Sequence, residues 1–439
     1  MNSNKFFLLA KENGINESEL SLSKSSTFSF SLFKKELTSY NFDESRRISA
    51  RGIYNNKVGF ASTEKDDASV PEFLINVIKD TASISESEDE PIIYKGADKY
   101  KKKNIYSKEL ENWTVEEQIK LCREIEDKLQ NADPRITDVQ VSFQLTTSER
   151  IFTNSFGLNL KDKSNYFLIY ANAVIKDGDD IKEEGDIFFN NDPKLFKIDE
   201  FCNGIVQKGL AKLHGVSIKA GKYKAVLNRE SVASLLSALL TNVSSEEVQK
   251  HSSKFEGKLN EQVLSKKLTI YEKPNLKNIF FSYFDDEGVP TQDKTIFENG
   301  VLKTYFYNLV TAKKDGVAST GNASRSGSKM SITFNNIVVK NGRLNEQELF
   351  EKIKDGIYVT DITGLHAGLN STSGDFSLQA EGFHIVDGKI DKPLTLFTLS
   401  GNLFELFKNV ISVGNNSKLL SSSFTVPSIA FSNLKVSAE

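Results

Sequence analysis

Apolar and polar residues alternate through much of the first 70 positions, in TFSFSLF (27–33) and again in RRISARGIYNNKVGFAST (46–63). A period of two, broken by the Asn55-Asn56 turn, predicts antiparallel strands. The period then becomes helical in VPEFLINVIKD (70–80), with Pro71 in the first turn, where its missing N–H costs nothing. TVEEQIKLCREIEDKL (114–129) predicts a second helix, because Thr114 and Glu117 have the spacing of a capping box. Alternation returns in TDVQVSFQLTT, ERIFTNSFG and YFLIYANAVIKDG, and FKIDEFCNGIVQKGLAKLHG (196–215) predicts a further helix. Groups of strands separated by single helices indicate α+β rather than regularly alternating βα units.

Near SIKAGKYKAVLN (217–228) a helical pattern gives way to a strand, which divides the chain into two expected domains. Residues 1–217 form a mixed α/β domain with antiparallel strands. Residues 218–439 form a mostly antiparallel β domain with a few helices. Three dipeptides in the second part, Asn299-Gly300, Asn341-Gly342 and Asp387-Gly388, favour hairpin turns in which both central residues take positive φ. Asn228 is placed to cap RESVASLLSALL (229–240), whose Val232, Leu235, Leu236 and Leu239 share one face. Asn402 and Glu405 suggest a cap for LFELFKNVI (403–411), burying Leu403, Leu406, Phe407 and Val410 and leaving Phe404 and Ile411 on a second face. In the last segment the alternation slips between Ile429/Phe431 and Leu434/Val436, so a bulge is expected at Ser432-Asn433.

Composition narrows the class without naming a reaction. The 439 residues are 38% hydrophobic and 26% charged, ordinary for a globular chain, and a net charge of −3 gives no broad case for nucleic acid or an anionic membrane. The apolar run FFLLA (6–10) is too short for a signal peptide or a membrane span, and the two cysteines suggest no disulfide framework. A reducing, cytoplasmic location is expected. The acidic-to-basic run at 84–106 predicts a solvated connection.

Candidate chemistry is sparse. None of the four histidines lies within 17 residues of another, so no metal-binding helix motif exists, and the cysteines lack CxxC spacing. A metal site assembled from distant residues stays open. His384 alternates within a strand, whereas His366 lies on a glycine-flanked loop and is the better candidate. GNASRSGSKMS (321–331) misses the spacing of a phosphate-binding loop and predicts a mobile Gly/Ser loop facing a cleft. Asp285, Asp286 and Glu287 precede a glycine, which predicts a solvated turn, with a general-acid pair or cation site as the alternative.

The C-terminal half resembles the TldD/PmbA family. The resemblance rests on YFDDEGVPTQDKTIFENGVLKTYFYNLVTAKK, STGNASR, NSTSGDFSLQAEGFHIVDGKIDKPLTLFTLSGNLFELFKNVISVGN and VPSIAFSNLKVSA, in the family's order. It implies one of two chain types. The TldD type carries an HExxxH helix whose histidines, with a distant cysteine, hold zinc for peptide hydrolysis. The PmbA (TldE) type lacks these ligands and completes a heterodimer. Here the helix position reads LNRESVASLLSALL and the late cysteine region reads SSSFTVPSIAFSN, so only Glu230 remains of the motif. The resemblance therefore implies a PmbA-type subunit with no catalytic or metal-binding residues of its own. Zinc is expected only in an HExxxH-bearing partner; the assembly is a heterodimer with that chain or a homodimer. Its substrate is a peptide, without nucleic acid or membrane. A metal-independent peptide-binding scaffold is the first alternative. A self-sufficient hydrolase around His366 and the Asp285–Glu287 turn is the second. Because SGDFS occurs in both chain types, a substrate groove or subunit contact is expected at Gly374, Asp375 and Phe376; the loop residue His366 and the second helical face at Phe404 and Ile411 are expected to join it.

Overall fold

The structure, a computed structural model, describes residues 3–438. Helix α1 (Ser3–Glu12) leads into three strands, β1 (Ser18–Phe33), β2 (Glu36–Tyr54) and β3 (Lys57–Thr63), followed by α2 (Val70–Ser83). After α3 (Lys108–Glu111) and α4 (Val115–Gln130) come β4 (Ile136–Asn154), β5 (Asn159–Asp177), β6 (Asp180–Asn190) and α5 (Ile198–Ala211). The six strands form one antiparallel sheet in the order β3-β2-β1-β4-β5-β6. Helix α4 begins at the expected capping box: Thr114 accepts the Glu117 N–H, and the Glu117 carboxylate accepts the Thr114 N–H.

The two faces of this sheet follow from strand parity. Phe30 and Leu32 of β1, with Val141, Phe143, Phe167 and Ile169 of β4 and β5, form a core under α4 and α5. The opposite face of β1 carries Ser23, Ser25, Thr27, Ser29 and Ser31. One row across four strands, Ser45–Ser25–Ser148–Ser164, consists of serine alone. Side-chain hydrogen bonds link Thr27 to Thr146 (3.2 Å) and Ser31 to Ser142 (2.8 Å). Both cysteines lie in the apolar core, where burial pushes the Cys122 thiol up to about 12 and the Cys202 thiol up to about 11.

Residues beyond α5 continue with β7 (Gly221–Leu227), α6 (Arg229–Leu240), α7 (Ser245–Gln249), β8 (Ile270–Glu272), β9 (Lys294–Glu298), β10 (Val301–Leu302) and α8 (Leu309–Lys314). Then follow β11 (Ala323–Ser326), β12 (Lys329–Ile332), β13 (Ile337–Val339), α9 (Glu346–Ile353), β14 (Gly356–Thr363), α10 (Leu365–Gly368), β15 (Asp375–Val386) and β16 (Lys389–Asn402). The chain closes with α11 (Leu403–Lys408), β17 (Val410–Val413), β18 (Lys418–Leu419), β19 (Phe424–Val426) and β20 (Ile429–Ala438). Two six-stranded sheets, β16-β15-β14-β7-β20-β17 and β10-β9-β8-β13-β19-β18, enclose a shared core. Their pairings are antiparallel except β14–β7 and β13–β19. The class is α+β throughout. No helix among the described residues is long and apolar enough to cross a membrane.

Two of the three Asx-Gly signals form hairpins. Asn299-Gly300 joins β9 to β10 and Asp387-Gly388 joins β15 to β16, all four residues at positive φ. Asn341-Gly342 instead lies in the connection from β13 to α9. Glycine is needed there for a different reason: a Cβ on Gly342 would stand 1.9 Å from the Val413 carbonyl oxygen. The bulge at Ser432-Asn433 is present, with Asn433 at φ 61°. Residues 321–331 form the β11–β12 hairpin rather than a loop, turning at Gly327. In the charged run at 84–106, Glu86–Glu90 are exposed. The remainder is pinned: Tyr100 Oη donates to the Gly288 carbonyl at 2.8 Å and Lys103 Nζ to that of Asn275 at 2.5 Å.

Candidate functional site

Helix α6 and the late segment before β20 meet where the resemblance would bring zinc ligands together. Asn228 caps α6 through the Ser231 N–H (2.9 Å) and donates to the Thr360 carbonyl (2.7 Å). Behind this cap the inward positions Val232, Leu235, Leu236 and Leu239 are completely buried hydrocarbon. Glu230 points to solvent in the first turn. The neighbouring polar groups satisfy one another. Arg229 donates to the Asn416 carbonyl (3.3 Å), and Asn416 Oδ1 accepts the Ser428 N–H (2.9 Å). Glu346 Oε1 accepts from Ser428 Oγ (2.5 Å), Tyr358 Oη (3.1 Å) and Asn416 Nδ2 (3.2 Å). Burial first, then Glu346 and Glu230, hold the Tyr358 phenol well above its usual range.

This donor set does not fit zinc. It offers one amide, hydroxyls, a carboxylate already engaged three times and a guanidinium, with neither imidazole nor thiolate. Among the described residues, no three His, Cys, Asp or Glu side chains are grouped to hold a metal ion.

A second polar centre is larger and was not legible as one unit. Asp285 and Glu287 are 5% and 1% exposed, so the expected solvated turn is in fact buried. Each acid of the turn serves a different structural element. Asp285 accepts the N–H groups of Glu287, Val289 and Ala323 at 2.9–3.0 Å, closing its own turn onto β11. Asp286 accepts from Arg150 of β4 (2.9 Å) and from the Arg325 N–H (2.8 Å). Glu287 accepts the Leu309 N–H at the start of α8 (2.9 Å) and faces Arg51 of β2 at 3.4 Å. Arg51 also forms a bidentate pair with Glu19 of β1 at 2.7 and 3.0 Å, and Arg325 donates to the same carboxylate.

These charges tie the N-terminal sheet to the β11–β12 hairpin and α8. Burial opposes the charge on Arg51, but Glu19 and Glu287 outweigh it and hold the guanidinium above its usual range. Burial has the upper hand at Arg325 and lowers it, despite Glu19. The carboxyls of Asp285 and Glu287 are both raised by burial first. Glu287 adds to the shift at Asp285, while Arg51 opposes it at Glu287. Asp285, Asp286 and Arg150 also line a cleft of about 300 Å³ with Glu272, Asn322 and Asn335. There Glu272 is already met by Lys294, Asn322 and the Asn335 N–H. With each of its carboxylates bonded to protein, the turn acts as a structural clamp between the N-terminal sheet and the elements that follow.

The expected groove residues partly converge. Gly374 has φ 82°, and a Cβ there would lie 2.5 Å from the Phe404 ring. Asp375 is exposed, and Asn402 and Ser373 hold its carboxyl below the usual range by hydrogen bonding. Phe376 and Phe404 are buried in the chain's own core, Phe404 edge-on to Phe255 at 5.5 Å. His366 is exposed on α10 beside β15. Ile411 is elsewhere, half-buried on β17 against Leu349, Phe350 and Ile353. The expected second helical face does not form, because α11 ends at Lys408 and the chain enters a strand at Val410.

Sequence reasoning missed Glu19, Arg51, Arg150 and Arg325, and with them the cluster of Arg229, Glu346, Tyr358, Asn416 and Ser428. One signal was available: Arg51 lies inside ISARGIY, where a charge in a buried strand requires a partner.

Comparison with known proteins agrees with this architecture. Three family models match in order: PmbA/TldA metallopeptidase domain 1 over residues 18–84, the central domain over 108–213 and the C-terminal domain over 220–438. A metalloprotease PmbA homolog of Buchnera aphidicola is 28% identical over 69% of this chain and 67% of its own. A Thermotoga maritima protein labelled a modulator of a DNA gyrase has a similar structure, with a TM-score of 0.90 and 27% identity over 99% of both chains. TldE from Thermococcus kodakarensis shares the fold, with a TM-score of 0.89 at 23% identity over 99% of both chains. From its ordered match to all three domain models, the chain belongs to the PmbA/TldD metallopeptidase family.

Proposed function

We propose that this chain is the non-catalytic, TldE-like subunit of a cytoplasmic zinc metallopeptidase that processes or degrades peptides. The zinc is supplied by an HExxxH-bearing partner. One observation carries the reading: the face of α6 that would present metal ligands is packed with Val232, Leu235, Leu236 and Leu239. A cation placed there would face hydrocarbon, with no ligand to replace its water. Glu230, the surviving acid, then has no metal-bound water to act on. The exposed surface at Asp375 and His366, beside Gly374, is the one this reading offers to the peptide or to the partner.

The test compares the purified chain, an HExxxH-bearing family member and the two co-expressed, by elemental analysis and hydrolysis of a quenched fluorescent peptide. The chain alone is expected to hold no stoichiometric zinc and to show no chelator-sensitive cleavage. The pair is expected to hold about one zinc. About one tightly held zinc in the lone chain, or chelator-sensitive cleavage by it, overturns the proposal.

A further inference from the structure

We propose that the open face of the N-terminal sheet carries, at Asp162, a binding site for a vicinal diol, the adjacent hydroxyl pair of a sugar. A concavity of about 270 Å³ lies there, floored by β1, β2, β4 and β5. Two rows of directly opposed residues make its surface. One is Ser23–Arg150–Asp162, and the other is the all-serine row Ser45–Ser25–Ser148–Ser164. Lys24 and Glu149 also border it, but they alternate with these residues along their strands, so their side chains take the opposite face. The site lies across the sheet from the core under α4 and α5. It involves none of the residues at α6 and does not depend on the zinc reading.

Hydrogen-bonding capacity is left unused at this place. Farther along the same face the hydroxyls pair with one another, Thr27 with Thr146 and Ser31 with Ser142. Among the described residues, the five serine hydroxyls of the concavity have no such partner, and Asp162 takes part in no ion pair. Asp162 is half-buried. Burial raises its carboxyl, although Arg150, the Lys163 N–H and Lys102 each pull it down. Arg150 is committed elsewhere: it donates to Asp286 at 2.9 Å and to the Phe284 carbonyl at 2.7 Å, with its guanidinium 3.9 Å from the Phe284 ring centre. The concavity thus holds a partly desolvated carboxylate without a matching donor, among hydroxyls that are free to turn.

The lining selects its ligand by exclusion. No apolar residue borders the concavity, so a hydrophobic molecule finds nothing to pack against. An anion would face Asp162, while the nearby guanidinium is already matched by Asp286. An ammonium would enter the field of Arg150 and Lys102, which both act on Asp162. A metal ion would meet a single inward carboxylate, and among the described residues no three ligating side chains are grouped. A neutral molecule rich in hydroxyls remains. Each serine hydroxyl both donates and accepts, as a sugar hydroxyl does, and an ionised carboxylate accepts two adjacent hydroxyls at once. At the low end of ligand-site volumes, the concavity suits about one or two sugar rings.

Titration calorimetry and saturation-transfer NMR on the full chain, with a panel of methyl glycosides, test the assignment. Saturable binding is expected, and Asp162→Asn should weaken it about 10-fold or more, because bonds to a charged acceptor are lost. Ser148→Val with Ser164→Val should weaken it as well, with circular dichroism and melting unchanged, since valine suits a strand. Putrescine and inorganic phosphate are the cationic and anionic probes, and neither should displace the glycosides. Absence of saturable binding across the panel, displacement by either charged probe, or binding unchanged in Asp162→Asn overturns the proposal. The same sugar carried on a serine of a short peptide separates two sources of the diol. Tighter binding than the free glycoside assigns the site to glycosylated peptides, and equal or weaker binding assigns it to free sugars; both outcomes support the site.

Discussion

Replacing Arg51 with methionine tests whether the buried charges hold the N-terminal sheet to the rest of the chain. Arg51 is 7% exposed and meets Glu19 twice, at 2.7 and 3.0 Å, and Glu287 once, at 3.4 Å. Methionine keeps the aliphatic stem but leaves two carboxylates to be accommodated. Glu19 retains Arg325, whereas Glu287 retains only the Leu309 N–H. Removing one partner from a buried ion pair costs about 3–5 kcal/mol, and the remaining contact at Glu19 places this case toward the lower end. Urea unfolding can be followed by circular dichroism and by Trp113, the only tryptophan. Its ring sits edge-on to Phe143 and Phe167 at 5.4 and 5.1 Å, in the N-terminal core. In the variant, the Trp113 transition should separate from the dichroism transition as the two parts lose their tie. Adding Glu287→Gln removes the stranded charge and should recover about 1–3 kcal/mol in the Arg51→Met background. A loss below about 1 kcal/mol, or strict additivity of the two substitutions, would refute the clamp.

Asp285 gives a pH dependence of defined sign. Its carboxyl is raised in the folded chain, by burial and then by Glu287, so the native state binds the proton more tightly than the unfolded state does. Its stabilising contribution is present at acid pH and declines as pH rises above the unfolded value of about 3.9. Asp285→Asn should flatten that slope in denaturation curves taken across the range; an unchanged slope would contradict it. The substitution should also cost about 1–3 kcal/mol, because an amide nitrogen cannot accept the Ala323 N–H. Gly374→Ala meets both a positive φ and the Phe404 ring and should cost about 2–4 kcal/mol in thermal or chemical unfolding. Phe404→Ser should destabilise the subunit itself by about 3–5 kcal/mol, because the ring belongs to its own core. Light scattering should then show association unchanged in the variant that remains folded.

Local rules were legible wherever a side chain acts on its own neighbourhood. Thr114 and Glu117, Asn228, the hairpins at Asn299 and Asp387 and the bulge before Leu434 all depend on residues a few positions apart. The leucine-filled face of α6 could be read for the same reason. The β1–β2 turn could not, because Lys34 and Lys35 occupy left-handed conformations without glycine or asparagine to announce them. Nor could the clamp. A pattern of apolar and charged residues assigns Asp285 and Glu287 to solvent, and only the pairing of β1 with β4 and β2 brings Glu19, Arg51 and Arg150 to face them. At α11 the helical period ran on through Val410 and Ile411, but Asn409 leaves the helix and both residues join β17 instead.

The clamp also sets a timetable for biogenesis. All six strands of the N-terminal sheet have been synthesised by Asn190, yet Arg150 finds Asp286 only 136 residues after its own synthesis. At roughly 5–20 residues per second, that interval lasts about 7 to 27 seconds. During it, the emerging chain displays Arg150 without its acid and Arg51 with only one of its two. A ribosome paused before residue 285 therefore exposes a basic face that the finished protein does not possess. The two acids that meet these arginines, Asp286 and Glu287, arrive on consecutive codons, and Leu309 and Arg325 complete the clamp only later still.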